Sequence, residues 1–267
     1  MRPFHPTPSA GAPPFVIAHR GISAKAPENT LASFSLAIDA PGIDMLELDV
    51  RLTKDEEVIV LHDRTLQRTS TGNGAARTYR MSELAQYDAG SWFNPSFRSE
   101  RIPSLKDVLL LAKPTRWVNI EIKSDPFHGE PRGLLEQRVL DVVDQCGMRE
   151  SVFFSSFDHD LIGNLKRLAP KAGTGVLYNL FRDFGRSPAK LARRANASVF
   201  ICAKGELQRS MIDDAHKHAI AVYVYTLNSV RDAQKMIELG VDGIISDNAD
   251  EIVSLVKGSD AKIDSFS

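Results

Sequence analysis

The stretch Leu46–Val50 has the sequence Leu-Glu-Leu-Asp-Val, in which apolar and acidic residues alternate. A period of two is typical of a β-strand, and it places Glu47 and Asp49 on the same face of that strand. If this face were in water, the two carboxylates would be ordinary surface charges. If it faces an enclosed site, the carboxylates repel each other and favour a cation between them. Oxygen ligands of this kind suit a hard divalent ion such as Mg2+ or Ca2+.

Length and composition limit the class of protein. The chain has 267 residues, enough for two ordinary domains or for one large α/β barrel. Its formal net charge of −1 gives no support for binding to nucleic acid or to a membrane surface. The two cysteines, Cys146 and Cys202, form no metal-binding motif and are compatible with a reducing compartment. We therefore expect a cytoplasmic protein that is a monomer or a homodimer.

The two ends of the chain differ in composition from the part between them. Residues 1–14 are rich in Pro, Gly, Ala and Ser and lack an apolar run of signal-peptide length, so a disordered arm is predicted. Residues 15–258 form the predicted domain, and residues 259–267 a C-terminal tail. No apolar run of about 18 residues is present, so we expect no membrane span.

Short apolar runs alternate with helical patterns over most of the chain, which predicts repeated βα units. The predicted strands are 15–18, 46–50, 117–122, 151–155, 174–177, 198–201, 220–225 and 243–246. A series of this length favours closure into a (β/α)8 barrel, the TIM barrel. The alternative is an open doubly wound sheet. That fold calls for a glycine-rich phosphate loop after strand one, and the sequence His19-Arg20-Gly21 is not one.

One segment interrupts this alternation after strand two. A short added strand at 57–61 ends at His62, and residues 64–103 then show no sustained period. We interpret residues 64–103 as a small inserted subdomain that packs over the barrel mouth, since a connection of this length is usually functional. The aromatic residues Trp92, Phe93 and Phe97 either form a small core of the insertion or line a site for an acyl chain.

Histidine and arginine side chains stand where predicted strands end, which is where TIM barrels place their active sites. His19 and Arg20 follow strand one, and His62 follows the added strand. Either histidine alone would usually be structural. As a pair that faces a site with a metal and basic residues, they fit a general acid and a general base. Arg20 suits bidentate contact with a phosphate.

Glu121 lies within the predicted strand at 117–122, and Lys123 follows the strand directly. Two residues apart, they lie on the same face. They could form a buried ion pair and nothing more. Because Glu47 and Asp49 are predicted nearby, we interpret Glu121 as a third metal ligand and Lys123 as a group that holds an anionic substrate. A metal, phosphate-binding basic residues and paired histidines indicate phosphoester chemistry.

Several short motifs follow one another along the chain. They are His19-Arg20-Gly21, Pro27-Glu28-Asn29-Thr30, Glu47-Leu48-Asp49-Val50, His62-Asp63, Arg68-Thr69, Asp88-Ala89-Gly90-Ser91-Trp92-Phe93, Ile102-Pro103-Ser104-Leu105, Ile120-Glu121-Ile122-Lys123, Ser155-Ser156-Phe157 and Gly240-Val241-Asp242-Gly243. In this order they closely resemble the glycerophosphodiester phosphodiesterase family. The resemblance extends from about Ile17 to Asp247, nearly the whole chain.

The resemblance implies a (β/α)8 barrel with a subdomain inserted after strand two. It implies hydrolysis of a small-molecule glycerophosphodiester to sn-glycerol 3-phosphate and an alcohol, a reaction of lipid and glycerol metabolism. It also implies one divalent cation, Mg2+ or Ca2+. The positions that match the family's roles are Glu47, Asp49 and Glu121 for the metal, His19 and His62 for acid–base catalysis, and Arg20 and Lys123 for phosphate.

Other positions are less directly tied to the reaction. Tyr225 stands where the family often has Trp, and it would keep an aromatic wall for the substrate. Glu28 and Asn29 would cap a helix and orient Arg20. Two rival functions stay open: a lysophospholipase D that acts on lysolipids, and a non-catalytic barrel that binds a phosphodiester. The histidine pair argues against the second.

Overall fold

The computed structural model describes residues 3–9, 11–113 and 115–258. Its strands are β1 (Phe15–His19), β2 (Met45–Leu52), β3 (Val58–Val60), β4 (Trp117–Ile122), β5 (Val152–Ser156), β6 (Gly173–Leu177), β7 (Val199–Ala203), β8 (Ala221–Tyr225) and β9 (Gly243–Ser246). Its helices are α1 (Leu31–Asp39), α2 (Met81–Leu84), α3 (Leu105–Ala112), α4 (Leu134–Gln145), α5 (His159–Leu168), α6 (Leu180–Asp183), α7 (Pro188–Ala195), α8 (Arg209–Lys217), α9 (Val230–Leu239) and α10 (Ala249–Lys257). Among these described helices, none is long and apolar enough to cross a membrane.

The strands form a closed parallel barrel. The ring runs β1-β2-β4-β5-β6-β7-β8-β9 and closes because β9 pairs with β1. The predicted (β/α)8 barrel is therefore confirmed, and an open sheet is excluded since it would leave two unpaired edges. β3 lies outside the ring and pairs antiparallel with β2. This pairing explains why β2 continues to Leu52, beyond the predicted end at Val50.

Capping side chains fix where helices begin. The Ser104 side chain accepts a hydrogen bond from the Asp107 N–H, and the Asp107 carboxylate accepts one from the Ser104 N–H. The Asp158 carboxylate accepts from the first turn of α5, and Thr30 caps α1. These caps satisfy backbone donors that the helix leaves unpaired.

The first residues of the chain pack against the N-terminal end of the barrel. The Phe4 ring lies 5.1 Å from that of Phe153 and 5.7 Å from that of Trp117, between ring centroids. The Tyr223 hydroxyl donates a hydrogen bond to the Pro6 carbonyl over 2.8 Å. Phe4 and Pro6 of the predicted arm thus contact the barrel, because the Phe4 ring packs against aromatic neighbours there. The predicted tail at 259–267 lies outside the described residues.

The insertion has its own hydrophobic cluster, which lies under its loops against β3. The cluster consists of Ile59, Leu61, Leu66, Ala76, Leu84, Ala89 and Ile102. The aromatic residues Trp92, Phe93 and Phe97 are not part of this cluster, so the alternative that they form the core of the insertion gains no support from it. Their rings pack edge to face on one another at 5.8 Å, and Trp92 remains 43% exposed.

Candidate active site

A cavity of about 210 Å³ opens at the C-terminal ends of the strands. It is lined by seven of the eight predicted site residues: His19, Arg20, Glu47, His62, Glu121, Lys123 and Tyr225. The eighth, Asp49, is fully buried and contacts Arg20 and Lys123. A larger cleft of about 500 Å³ beside α4 and α5 is lined by none of them. The structure therefore brings the predicted residues together at one place.

The turn after β1 brings His19 and Arg20 to the cavity. Gly21 has a φ of 85°, and a Cβ atom there would lie 2.5 Å from the backbone of Ser33, so only glycine fits. Arg20 itself has a φ of 57°, and its N–H donates to the Glu47 carbonyl over 2.9 Å. This hydrogen bond offsets the strain of the left-handed backbone and fixes the turn to β2.

Strand register gathers the three carboxylates. Asp49 of β2 lies beside Glu121 of β4, and Glu47 lies two residues before Asp49 on the same face. One oxygen from each of the three groups lies within 4.8 Å of the others. All three residues are buried, with Asp49 at 0% exposure. The acidic residues that alternate with apolar ones in the sequence thus lie on the face of β2 that points into the barrel.

Two basic side chains partly neutralise this acidic cluster. Lys123 Nζ lies 2.6 Å from Glu121 Oε1 and 3.2 Å from Asp49 Oδ1, and Arg20 Nε lies 3.1 Å from Asp49 Oδ2. Burial alone would raise the pKa of Asp49, but the charges of Lys123 and Arg20 outweigh it and lower the pKa. Burial and the charge of Asp49 raise the pKa of Glu47 to about 8. Because a third negative charge in this cluster is unfavourable without a cation, Glu47 keeps its proton up to this raised pKa.

The residues fit a divalent cation. Asp49 Oδ1 is buried and has no hydrogen-bond partner among the described residues. Burial raises the pKa of Glu121 as well, although the neighbouring Lys123 opposes the shift. Three buried carboxylates with oxygens within 4.8 Å of one another offer what a hard cation binds, and a cation would remove the repulsion among them. The ion pair between Glu121 and Lys123 is present, but no Lys or Arg side chain of the described residues forms such a pair with Glu47, whose pKa is raised to about 8.

Each predicted catalytic histidine has a carboxylate partner. His19 Nδ1 donates to Asp247 over 2.6 Å, and His62 Nδ1 donates to Asp63 over 2.6 Å. Both pairs fix the ring orientation and leave Nε2 available to the cavity. Burial would lower the pKa of His19, but the hydrogen bond to Asp247 and the charge of Glu47 raise it. Burial lowers the pKa of His62.

Comparison with known proteins decides the family. The model of the glycerophosphoryl diester phosphodiesterase family matches residues 19–251. The chain belongs to this family. A glycerophosphodiester phosphodiesterase of Caldanaerobacter subterraneus subsp. tengcongensis is 34% identical over 245 residues, which cover 91% of this chain and 97% of that protein.

Solved structures of glycerophosphodiester phosphodiesterases have the same barrel. A phosphodiesterase of Oleispira antarctica, solved with the product sn-glycerol-3-phosphate, has a TM-score of 0.85 and 28% identity, over 92% of this chain and 97% of that chain. A glycerophosphodiester phosphodiesterase of Agrobacterium tumefaciens has a TM-score of 0.78 and 28% identity, over 90% of this chain and 99% of that chain.

Asp247 is a site residue of this family member to which the sequence analysis gave no role. Besides His19, it accepts hydrogen bonds from the Ser23 hydroxyl over 2.9 Å and from Asn228 Nδ2 over 2.6 Å. Burial would raise its pKa, but these donors, led by His19, lower the pKa to about 2. Asp247 therefore stays ionised and holds the His19 ring. Its position at the end of β9 was the one available signal in the sequence.

Arg68, at the start of the insertion, joins the two sides of the site. Its guanidinium donates to both Glu28 oxygens over 2.7 Å and to Asp63 Oδ2 over 2.6 Å. Glu28 also accepts from Arg20 over 2.8 Å, as expected, and Asp63 accepts from His62. The chain of contacts links the phosphate-binding candidate Arg20 to the acid–base candidate His62. Arg68 belongs to one of the family motifs, but its contacts with Glu28 and Asp63 could not be predicted from the sequence.

Apolar side chains line the other side of the cavity. Tyr225 stands with Phe157, Leu177 and Ile201, and the Phe157 ring centroid lies 5.9 Å from Lys123 Nζ. Burial raises the pKa of Tyr225, so its hydroxyl stays protonated. Tyr225 thus provides the aromatic wall expected for it. The cavity therefore has charged groups on one side and an apolar wall on the other.

Proposed function

We propose that this family member hydrolyses glycerophosphodiesters to sn-glycerol 3-phosphate and an alcohol, with one divalent cation and with His19 and His62 as the acid–base pair. The observation that carries the proposal is one cavity that joins three buried carboxylates to two histidines, each with its own carboxylate partner. The relative from Oleispira antarctica, solved with sn-glycerol-3-phosphate, supports the proposed product.

Glu47, Asp49 and Glu121 would hold Mg2+ or Ca2+, whose charge would stabilise the phosphate oxygens during reaction. With the carboxylates neutralised in this way, Lys123 and Arg20 are released to bind the phosphate. Arg20 suits two phosphate oxygens at once, and Lys123 offers a point charge. The negative charge of the substrate then replaces the carboxylate contacts that these two side chains make in the structure.

The two histidines would move the protons. Hydrolysis of a phosphodiester needs a base that takes a proton from the attacking oxygen and an acid that gives one to the leaving alcohol. His19 and His62 meet this need because each donates from Nδ1 to a carboxylate and keeps Nε2 for the substrate. Asp247 and Asp63 hold each imidazole in one tautomer and stabilise its charged form.

The rival functions have less support. In the lysophospholipase D alternative, Trp92, Phe93 and Phe97 would bind an acyl chain. None of these residues lines the cavity. A lysophospholipase D would therefore have to place its acyl chain elsewhere. A barrel that only binds a phosphodiester would not need a carboxylate partner for each histidine.

The test is an assay of a panel of glycerophosphodiesters with chelator and with Mg2+ or Ca2+ added back. We expect glycerophosphocholine or a related diester to be hydrolysed only with a metal, and faster than lysophosphatidylcholine. His19→Ala and His62→Ala should each lower kcat by about 10²- to 10⁴-fold. If both variants keep the wild-type rate, the acid–base roles are wrong. Full activity in chelator would exclude the metal.

A further inference from the structure

We propose that the loop between β6 and α7, residues 178–187, docks the catalytic face of the barrel onto an anionic lipid bilayer. Two rings of this loop stand in water: Phe181 is 97% exposed and Phe184 is 80% exposed. Phenylalanine is normally among the most buried residue types. Two such rings within one short loop form an apolar feature that calls for a partner.

The loop is ordered by polar contacts at its base. The Asn179 side chain accepts hydrogen bonds from the N–H groups of Phe181 and Arg182, and the Asn179 N–H donates to Asp183 over 3.0 Å. The Asp183 carboxylate is 1% exposed. The usual arrangement is therefore inverted, because an acidic side chain is buried while two aromatic rings project outward. The contacts preorganise the rings for insertion, so docking need not order the loop first.

Charge indicates which partner the loop suits. Arg182 and Arg186 lie 3.3 and 3.4 Å from the same carboxylate, that of Asp183, and their side chains are 46% and 42% exposed. Since Asp183 is the only acidic residue of the loop, the loop carries a net charge of +1 beside the rings. Aromatic side chains next to arginines match the interface of a bilayer with anionic headgroups. The net charge of the whole chain, −1, conceals this local pattern.

The position of the loop gives the orientation. It begins directly after Leu177, which lines the active-site cavity. Phe127, which follows β4 at the same end of the barrel, is 79% exposed and has the Arg64 guanidinium 4.5 Å from its ring centroid. Exposed rings with basic neighbours on two separate loops suit a fluid surface better than a shaped protein groove. Docking through them would turn the cavity toward the lipid headgroups.

The test is cosedimentation of the full chain with vesicles of phosphatidylcholine alone or with about one third phosphatidylglycerol, without any substrate. We expect the wild-type protein to bind the anionic vesicles, and to bind less at high salt. The double variant Phe181→Ser/Phe184→Ser should bind about tenfold more weakly. Arg186→Gln should weaken binding to anionic vesicles and leave binding to neutral vesicles unchanged. The matched control is Leu110→Ser, which removes an apolar side chain, 53% exposed, from α3.

The proposal is overturned if the wild-type protein does not bind anionic vesicles at low salt. It is also overturned if the double variant binds like the wild type, or if Leu110→Ser loses as much binding. Thermal unfolding of each variant establishes that it is folded. Light scattering distinguishes a dimer: if the phenylalanines hold two copies together and no vesicle binding is seen, the surface serves self-association instead. No outcome depends on turnover, so the proposed reaction is tested separately.

Discussion

The two ends of the barrel interior are built from the same strands but from opposite kinds of side chain. β4 shows the contrast most clearly, because its inward face begins with Trp117, continues with Asn119 and ends with Glu121. At the Trp117 end, aromatic rings are closed over by Phe4. At the Glu121 end, carboxylates and basic groups surround a cavity. One end of the strands therefore contributes to stability through buried rings, whereas burial of charged groups at the other end costs stability.

Glycines allow the apolar end to be so densely packed. A Cβ atom at Gly243 would lie 2.6 Å from the Tyr223 ring, and one at Gly175 would lie 2.6 Å from the Phe153 ring. Burial of such rings is favourable by a few kcal/mol each. At the opposite end, burial of three carboxylates is unfavourable until a cation neutralises them. We therefore expect substitutions at the polar end to lower activity and substitutions at the apolar end to lower stability.

The largest expected effect is on activity, at the polar end. Glu47→Gln removes one of the three proposed metal ligands and should lower kcat/KM by about a thousandfold. Because the pKa of Glu47 is raised to about 8, its ionised form is unfavourable in the folded state. A neutral amide should thus leave the melting temperature in chelator unchanged or higher. Kinetics and thermal unfolding check both parts. If Glu47→Gln were active but less stable than the wild type, the polar end would contribute to stability and not to activity.

The next effect is on stability, at the apolar end. Phe153→Ala removes a fully buried ring that contacts Phe4 and Tyr223. It should lower the free energy of unfolding by about 3–5 kcal/mol and leave kcat per folded molecule unchanged. Denaturant unfolding and active-site titration measure these quantities. Trp92→Ala, at a ring that is 43% exposed, is the matched control and should lower the free energy of unfolding by less. Equal losses in the two variants would contradict the role given to this end.

A smaller effect is expected where the insertion joins the site. Arg68→Met keeps most of the side-chain volume but loses the contacts to Glu28 and Asp63. It should lower kcat by about tenfold, because Arg20 and His62 would lose their indirect support. Arg68→Lys should recover part of the loss. Arg98→Met, at another exposed arginine of the insertion, is the control. An unchanged kcat in Arg68→Met would exclude a positioning role.

The smallest effect is a pH dependence of stability in chelator. The ordinary pKa of Glu47 is 4.5, and burial with the charge of Asp49 raises it to about 8 in the folded protein. Between these values the folded chain keeps a proton that the unfolded chain has released, so stability falls as the pH rises. Melting temperatures from about pH 5 to about pH 8 should decline, less steeply in Glu47→Gln. Added metal should oppose the decline, since it binds the ionised carboxylate. An equal slope in both proteins would show that other groups cause it.

Much of the fold could be predicted from local patterns. The strands Trp117–Ile122 and Gly243–Ser246 have the predicted bounds, because short apolar runs between helical patterns define them. The end of β2 could not be predicted, since Leu52 is held by pairing with Val58 on another strand. The packing of Phe4 was missed for a similar reason. Composition indicates whether a segment can fold alone, but not whether it can pack against the end of a barrel that the rest of the chain forms.

The candidate site likewise has residues that could be predicted from the sequence and residues that could not. The alternation around Glu47 and Asp49 indicated their common face, and positions at strand ends, together with the family resemblance, indicated the other predicted site residues. The partner of His19 could not be predicted, because Asp247 lies 228 residues away along the chain. Two hydrogen-bonded residues at such a distance leave no local period in the sequence.

Local patterns were enough to indicate which residues belong to strands, which face of β2 is acidic and which family motifs the chain contains. Period-two alternation and motif order are local properties, so they can be recognised without coordinates. The folded structure was needed to show that both histidines line one cavity, that Arg68 links the His62–Asp63 pair to Arg20 through Glu28, and that two phenylalanines project beside the site. Closure of the barrel sets these contacts, because it brings together strand ends that are far apart along the chain.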